Sequence, residues 1–270
     1  MTIRVCVAGV TGWAGSAVAR GVLASDEFEL TGAVARRAAG EVVASVVTGV
    51  ESDVVVAADV AAALEVATDV LIDYTHPSAV KENVLSALDA GVAAVVGTSG
   101  LVAEDFKEIE AAALEAGVGA IAAGNFSVTA ALLKHFSGIA ARHVPHWEII
   151  DMAGAGKPDA PSGTARELAE YLGEIARNEL ELPIANTLGP KEARGASIGG
   201  AQVHSLRLPS YVVSVESIFG LADERLTIRH DAGSTAEPYV GGTLLAAKAA
   251  LGTVGLIRGL DTLLFSSPGA

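Results

Sequence analysis

Apolar residues come in two arrangements along this chain. Up to about residue 125 they form short unbroken runs, at residues 3–8, 29–35, 69–75, 92–96 and 118–123, each rich in β-branched residues or alanine and closed by glycine or a polar residue. Runs of that length read as strands buried on both faces. Between them, residues 16–24, 78–90 and 103–116 carry apolar positions at helical spacing. Gly91 and Gly117 stand just past two of these segments, and Ser78 stands where an N-cap belongs. Residues 38–63 are Ala- and Val-rich with weak periodicity; 54–57 reads as a short strand and 59–67 as a helix. Strand and helix in regular alternation predict an α/β fold with a doubly wound parallel sheet.

The rhythm then changes. A helix over 127–142 leads to a strand at 147–150, a loose loop at 151–156, and a helical pattern over 166–172. A polar connection, 178–196, precedes three strand-like segments, 201–208, 211–219 and 224–230, joined by short turns. Consecutive strands predict an α+β domain with a mixed sheet, whose open face offers an oligomer interface. A helix over 241–251 returns to the first domain. The expected division is residues 1–126 with 237–270 for dinucleotide binding, and 127–236 for substrate binding and oligomerisation.

Composition narrows the function. The net charge of −14 argues against a nucleic-acid or anionic-membrane surface, so an anionic ligand needs a local basic pocket. No apolar run reaches the roughly 18 residues of an uncharged membrane span. The single cysteine, Cys6, lies in the first apolar run and has no partner for an internal disulfide, which fits a reducing cytoplasm. The chain goes directly from Met1 into a strand, so no signal peptide is expected, and no metal site is expected either.

Two motifs carry chemistry. The first is the turn after the opening strand, Gly9-Val10-Thr11-Gly12-Trp13-Ala14-Gly15, a G-x-x-G-x-x-G form of the dinucleotide fingerprint in its strand-to-helix context. The second strand ends in Ala35-Arg36-Arg37, with arginines where a selector of NAD carries an acid; NADPH is therefore the expected cofactor, with NADH possible. Loops after later strands, with Tyr74 and Thr75, with Gly97, Thr98 and Ser99, and with Asn125 and Phe126, are placed to line the nicotinamide. The second motif is residues 157–165, Lys-Pro-Asp-Ala-Pro-Ser-Gly-Thr-Ala. Lys157 precedes a helix start at Ser162, Gly163 and Thr164, where unpaired N–H groups and two hydroxyls suit a carboxylate or phosphate.

With these motifs in view, the chain resembles the dihydrodipicolinate reductase family over nearly its whole length. The resemblance implies an N-terminal Rossmann domain and a C-terminal domain that assembles a homotetramer. It also implies hydride transfer from NADPH or NADH to a cyclic, carboxylated imine-type substrate of the lysine and diaminopimelate route. Lys157 matches the family's substrate-site lysine and candidate catalytic group. Ser162, Gly163 and Thr164 match its carboxylate-binding residues, and Gly97 and Ser99 its carboxamide loop. Ala153 and Gly154 stand where the family carries paired histidines, and Glu216 where it carries another. Lys157 with a burial-lowered pKa, water and His204 are the substitutes for the missing proton donor. Three readings follow: the family reaction, a paralogous NADPH-dependent reductase of another imine, enamine or carbonyl compound, and a non-catalytic NADPH-binding regulator.

Overall fold

The computed structural model describes residues 2–265. It divides into two compact units, one of residues up to Val128 together with those from Ala236, the other Thr129–Thr235. In chain order the first unit contains β1 (Ile3–Ala8), α1 (Trp13–Leu23), β2 (Phe28–Val34), α2 (Val43–Val46), β3 (Val56–Ala57), α3 (Val60–Ala63), β4 (Val70–Asp73), α4 (Val80–Asp89), β5 (Ala93–Val96), α5 (Ala103–Ala116) and β6 (Gly119–Ala122). The second unit contains most of α6 (Val128–Ala141), then β7 (Trp147–Ala153), α7 (Gly163–Ile175), β8 (Ala196–Ile198), β9 (Ala201–Arg207), β10 (Val213–Gly220) and β11 (Arg225–Ala232). The chain then returns to the first unit with α8 (Glu237–Ala250), β12 (Gly255–Arg258) and α9 (Leu260–Phe265).

Among the described residues, the first unit holds a seven-stranded sheet in the order β12-β6-β5-β4-β1-β2-β3. Every pairing in it is parallel. Helices cover both faces of such a sheet, which explains why its strands are unbroken apolar runs: Val5, Val7, Leu71, Ile72 and Val95 are all fully buried. Each large side chain buried this way stabilises by about 1.5–3 kcal/mol. Two glycines let the first turn close. Gly9 has φ +86°, and a Cβ on Gly15 would lie 2.1 Å from the Gly9 carbonyl oxygen, so α1 can start directly against the end of β1.

The second unit has a five-stranded mixed sheet, β11-β10-β7-β9-β8, in which β7 and β9 are parallel and the other pairs antiparallel. Leu133 of α6, with Leu168 and Leu172 of α7, packs on Trp147, Ile149, Val203, Val215 and Phe219. Alternation along β7 therefore puts Trp147, Ile149, Asp151 and Ala153 on the helix-covered face, and Glu148, Ile150 and Met152 on the other. On that other face Glu148 takes His204 Nε2 at 2.7 Å and also pairs with Arg194. Glu216 meets Arg229 at 3.5 Å.

Several local expectations need correction. The helix over 59–67 is only Val60–Ala63, capped by the Asp59 carboxylate on the Ala62 N–H at 2.9 Å. Ser78 does not cap α4; its hydroxyl sits 3.0 Å from His76 Nδ1 in the preceding turn, and α4 begins after Ala79. Strand β12 follows the expected helix, in a stretch for which the sequence pattern predicts no element. It is four residues long, and glycines of positive φ, Gly255 and Gly259, bracket it. Among the described residues no helix is long and apolar enough to cross a membrane.

Candidate functional site

In the first unit the ends of β1, β2, β3 and β4 open on a crevice of about 1030 Å³. Strand β1 lies between β2 and β4, so the crevice sits where the strand order reverses, the usual ligand position in an open parallel sheet. Gly9, Thr11, Gly12, Arg36, Arg37, Tyr74 and Thr75, all expected cofactor residues, line it. Helix α1 starts there with Gly12 as N-cap and no side-chain cap, leaving early backbone N–H groups for an anion. Arg36 and Arg37 follow β2 in a short 3-10 turn on the same wall. The acid of that wall, Asp59, already has one oxygen engaged in capping α3.

Trp13, Ala14 and Gly15 form the first turn of α1 rather than the crevice lining. Trp13 is 60% exposed and stands edge-on to Tyr239 at 5.7 Å. The Tyr74 ring turns into the core: its hydroxyl is 2.7 Å from Thr243 Oγ1, and burial pushes its phenol pKa up. A Cβ at Gly97 would lie 2.2 Å from that ring, so the ring is what requires a glycine there. Phe126 is 1% exposed and packs edge-on to Tyr74, and the Asn125 side chain accepts the Ser127 N–H at 2.8 Å. Ser99 lies exposed in the loop after β5.

Asp73, the last residue of β4, organises these loops and is not among the residues singled out from sequence. It is fully buried. Its Oδ1 accepts the Thr75 N–H at 3.0 Å, the Thr75 hydroxyl at 2.8 Å and the Thr98 hydroxyl at 2.6 Å. Its Oδ2 accepts from Asn83 Nδ2 at 2.8 Å. One carboxylate thereby ties together the loops after β4 and β5 and the first turns of α4. The available signal was an acid closing an otherwise apolar strand.

In the second unit the chain leaves β7 through residues 154–162 and enters α7. Ser162 is the N-cap, with its hydroxyl oxygen 3.4 Å from the Ala165 N–H, and it is only 3% exposed. Its own N–H donates to Asp151 Oδ2 at 2.9 Å. Gly163 and Thr164 are the first helical residues of α7, at its positive dipole end. Lys157 Nζ lies 2.9 Å from Asp159 Oδ1, and this ammonium holds the Asp159 carboxyl below its ordinary pKa. Lys157 is one-third exposed.

Behind the loop, Asp151 is fully buried and Arg207 largely so. Arg207 Nη2 donates to Asp151 Oδ2 at 2.7 Å and to the Asp159 carbonyl at 2.6 Å, and the Ser205 hydroxyl reaches the same carboxylate at 3.1 Å. Burial works against the charge on Asp151, but the guanidinium and the Ser162 donors outweigh it and keep its pKa below the ordinary value. Ala153 is buried at the end of β7, and Gly154 follows in the loop with its N–H on the Val212 carbonyl at 3.3 Å. Ser205 shares a face with Asp151, so His204 points from the opposite face, where Glu148 holds it. Glu216 is on that opposite face too. Neither residue is brought to the 157–164 loop. No group of three His, Cys, Asp or Glu side chains suited to a metal ion occurs among the described residues.

Comparison with known proteins covers both units. Residues 3–126 match the family model for the dihydrodipicolinate reductase N-terminus, and 128–264 that for its C-terminus. The 4-hydroxy-tetrahydrodipicolinate reductase of Desulfitobacterium hafniense is 37% identical over 266 residues, covering 97% of this chain and 98% of that protein. The Moorella thermoacetica protein of the same name is 38% identical over 269 residues, with the same coverage. Among solved structures, the dipicolinate-bound dihydrodipicolinate reductase from Paenisporosarcina sp. TG-14 superposes with a TM-score of 0.87 at 28% identity, over 97% of this chain and 100% of that one.

Proposed function

The chain belongs to the dihydrodipicolinate reductase family, and from that premise we propose that it reduces a carboxylated cyclic imine with a nicotinamide dinucleotide, NADPH in preference to NADH. The observation that carries the reading is the loop from Lys157 into α7, which sets an ammonium within a few residues of a helix N-terminus at Ser162 and Gly163. Such a group holds a substrate carboxylate without reacting with it. The crevice of the first unit fits the dinucleotide: the start of α1 at Thr11 and Gly12 takes the pyrophosphate, and Arg36 and Arg37 take a 2′-phosphate. When bound, the dinucleotide supplies hydride. Thr75 and Thr98, fixed by Asp73, keep the neighbouring loops in place.

Reduction of a C=N bond adds hydride to carbon and a proton to nitrogen. Ala153 and Gly154 have no proton to give, so Lys157 or water supplies it. The same bare segment favours a second reading, a paralogous reductase of a different imine, enamine or carbonyl compound. We also read the chain as a cytoplasmic homotetramer. In support, the uncovered face of the second sheet carries Ile150, Leu206 and Ile218 among its charges, and Cys6 has no partner cysteine.

Steady-state assays of 4-hydroxy-tetrahydrodipicolinate with each cofactor test this. Turnover with a lower KM for NADPH than for NADH is expected, and Arg36→Asp should narrow or reverse that preference by roughly tenfold, the size of about 1.4 kcal/mol. Turnover below a buffer blank with intact NADPH binding would shift the reading to the paralogue or to a non-catalytic cofactor-binding protein. Equal preference for the two cofactors in wild type would overturn the arginine argument.

A further inference from the structure

We infer that Arg207 and Asp151 are positioning residues that set the anion-binding shape of residues 157–164; this rests on the reading of that loop as the substrate-carboxylate site. An ion pair serving only to neutralise a buried charge would need only the contact between the two side chains. Here each partner also takes a backbone group of the loop. Arg207 Nη2 is shared between Asp151 Oδ2, at 2.7 Å, and the Asp159 carbonyl, at 2.6 Å. Asp151 Oδ2 is shared between Arg207 and the Ser162 N–H, at 2.9 Å. The pair therefore grips the loop at two points three residues apart, on either side of the cis Ala160–Pro161 peptide.

Each grip controls a different half of the cradle. Fixing the Ser162 N–H fixes the first turn of α7, and so the direction of the Gly163 and Thr164 N–H groups. Fixing the Asp159 carbonyl fixes the residue whose carboxylate holds Lys157 Nζ at 2.9 Å. Neither Arg207 nor Asp151 needs to touch a ligand to do this, because an error of an ångström in donor placement is enough to weaken an oriented site. Asp151 is fully buried and Arg207 arrives from another strand, so the anchor is part of the sheet, while the loop it holds is exposed at Asp159.

The test is titration of pyridine-2,6-dicarboxylate, and separately of NADPH, into wild type, Arg207→Lys and Arg207→Met. Lysine keeps a cation beside Asp151 but loses the planar donor set. Expected for Arg207→Lys is a dicarboxylate Kd and a substrate KM raised roughly tenfold or more, a smaller change in kcat, NADPH affinity unchanged, and the emission of buried Trp147 unchanged. Arg207→Met should lose more of the dicarboxylate affinity. If it fails to fold, Arg207→Lys still decides. Dicarboxylate affinity within twofold of wild type in Arg207→Lys would overturn the inference, and so would parallel loss of NADPH affinity and of Trp147 burial. Failure of wild type itself to bind the dicarboxylate would instead overturn the reading of the site.

Discussion

Asp73 and Asp151 occupy comparable positions in the two units. Each is a fully buried carboxylate towards the C-terminal end of a strand, and each holds a loop that follows. Their partners differ. Asp73 is surrounded by neutral donors: the Thr75 N–H, two threonine hydroxyls and the Asn83 amide. Asp151 is held by a guanidinium, a hydroxyl and a backbone N–H. Neutral donors let a buried acid gather several loops at once, and each bond is individually modest. A buried ion pair is all or nothing, because removing either partner strands the other charge. The first arrangement suits a crevice built from many strand ends. The second suits a single loop that must present donors in one fixed direction.

The largest effect should come from Asp151→Asn. It leaves Arg207 largely buried without a counter-charge, and is expected to destabilise the second unit by about 3–5 kcal/mol. Urea unfolding followed by Trp147, which is 2% exposed in the core of that unit, measures it. A loss under about 1 kcal/mol would remove the contrast between the two carboxylates, since that is the range of an ordinary neutral hydrogen bond.

Asp73→Asn should be milder, about 1–3 kcal/mol, because an amide keeps one acceptor and must misplace one donor. Hydrogen exchange at the β4 amides reads it. Adding Asn83→Asp should restore much of the loss by reversing the direction of that one bond. No recovery in the double variant would show that the charge on Asp73, not the bonding pattern, is what matters.

The smallest effect is in pH. The folded pKa of Asp151 is depressed below its ordinary 3.8, so its stabilising contribution is present above that value and is lost as pH falls through the lower, folded one. The stability gap between wild type and Asp151→Asn should therefore stay constant from pH 7 to about pH 5 and shrink below about pH 4. A gap as large at pH 3 as at pH 7 would contradict the assigned direction.

The fingerprint from Gly9 to Gly15, the arginines after β2 and the run from Lys157 to Ala165 were legible because each is local. A tight turn, a strand end and a helix start need residue types at fixed spacing in one segment, and the alternation of buried runs with helical patterns shows which kind of sheet they join. The knots at Asp73 and Asp151 were not legible, because Thr98 and Arg207 reach them from 25 and 56 residues away. The same holds for Gly97, which gives way to the Tyr74 ring, and for Ser162, whose oxygen serves its own helix. His204 and Glu216 lie on the other face of the sheet from Asp151, which only strand register decides. Spacing along the chain determines which backbone groups a segment leaves unpaired. Which side chains converge on them depends on strand order and pleat, since a single step in register moves a residue from one face of a sheet to the other.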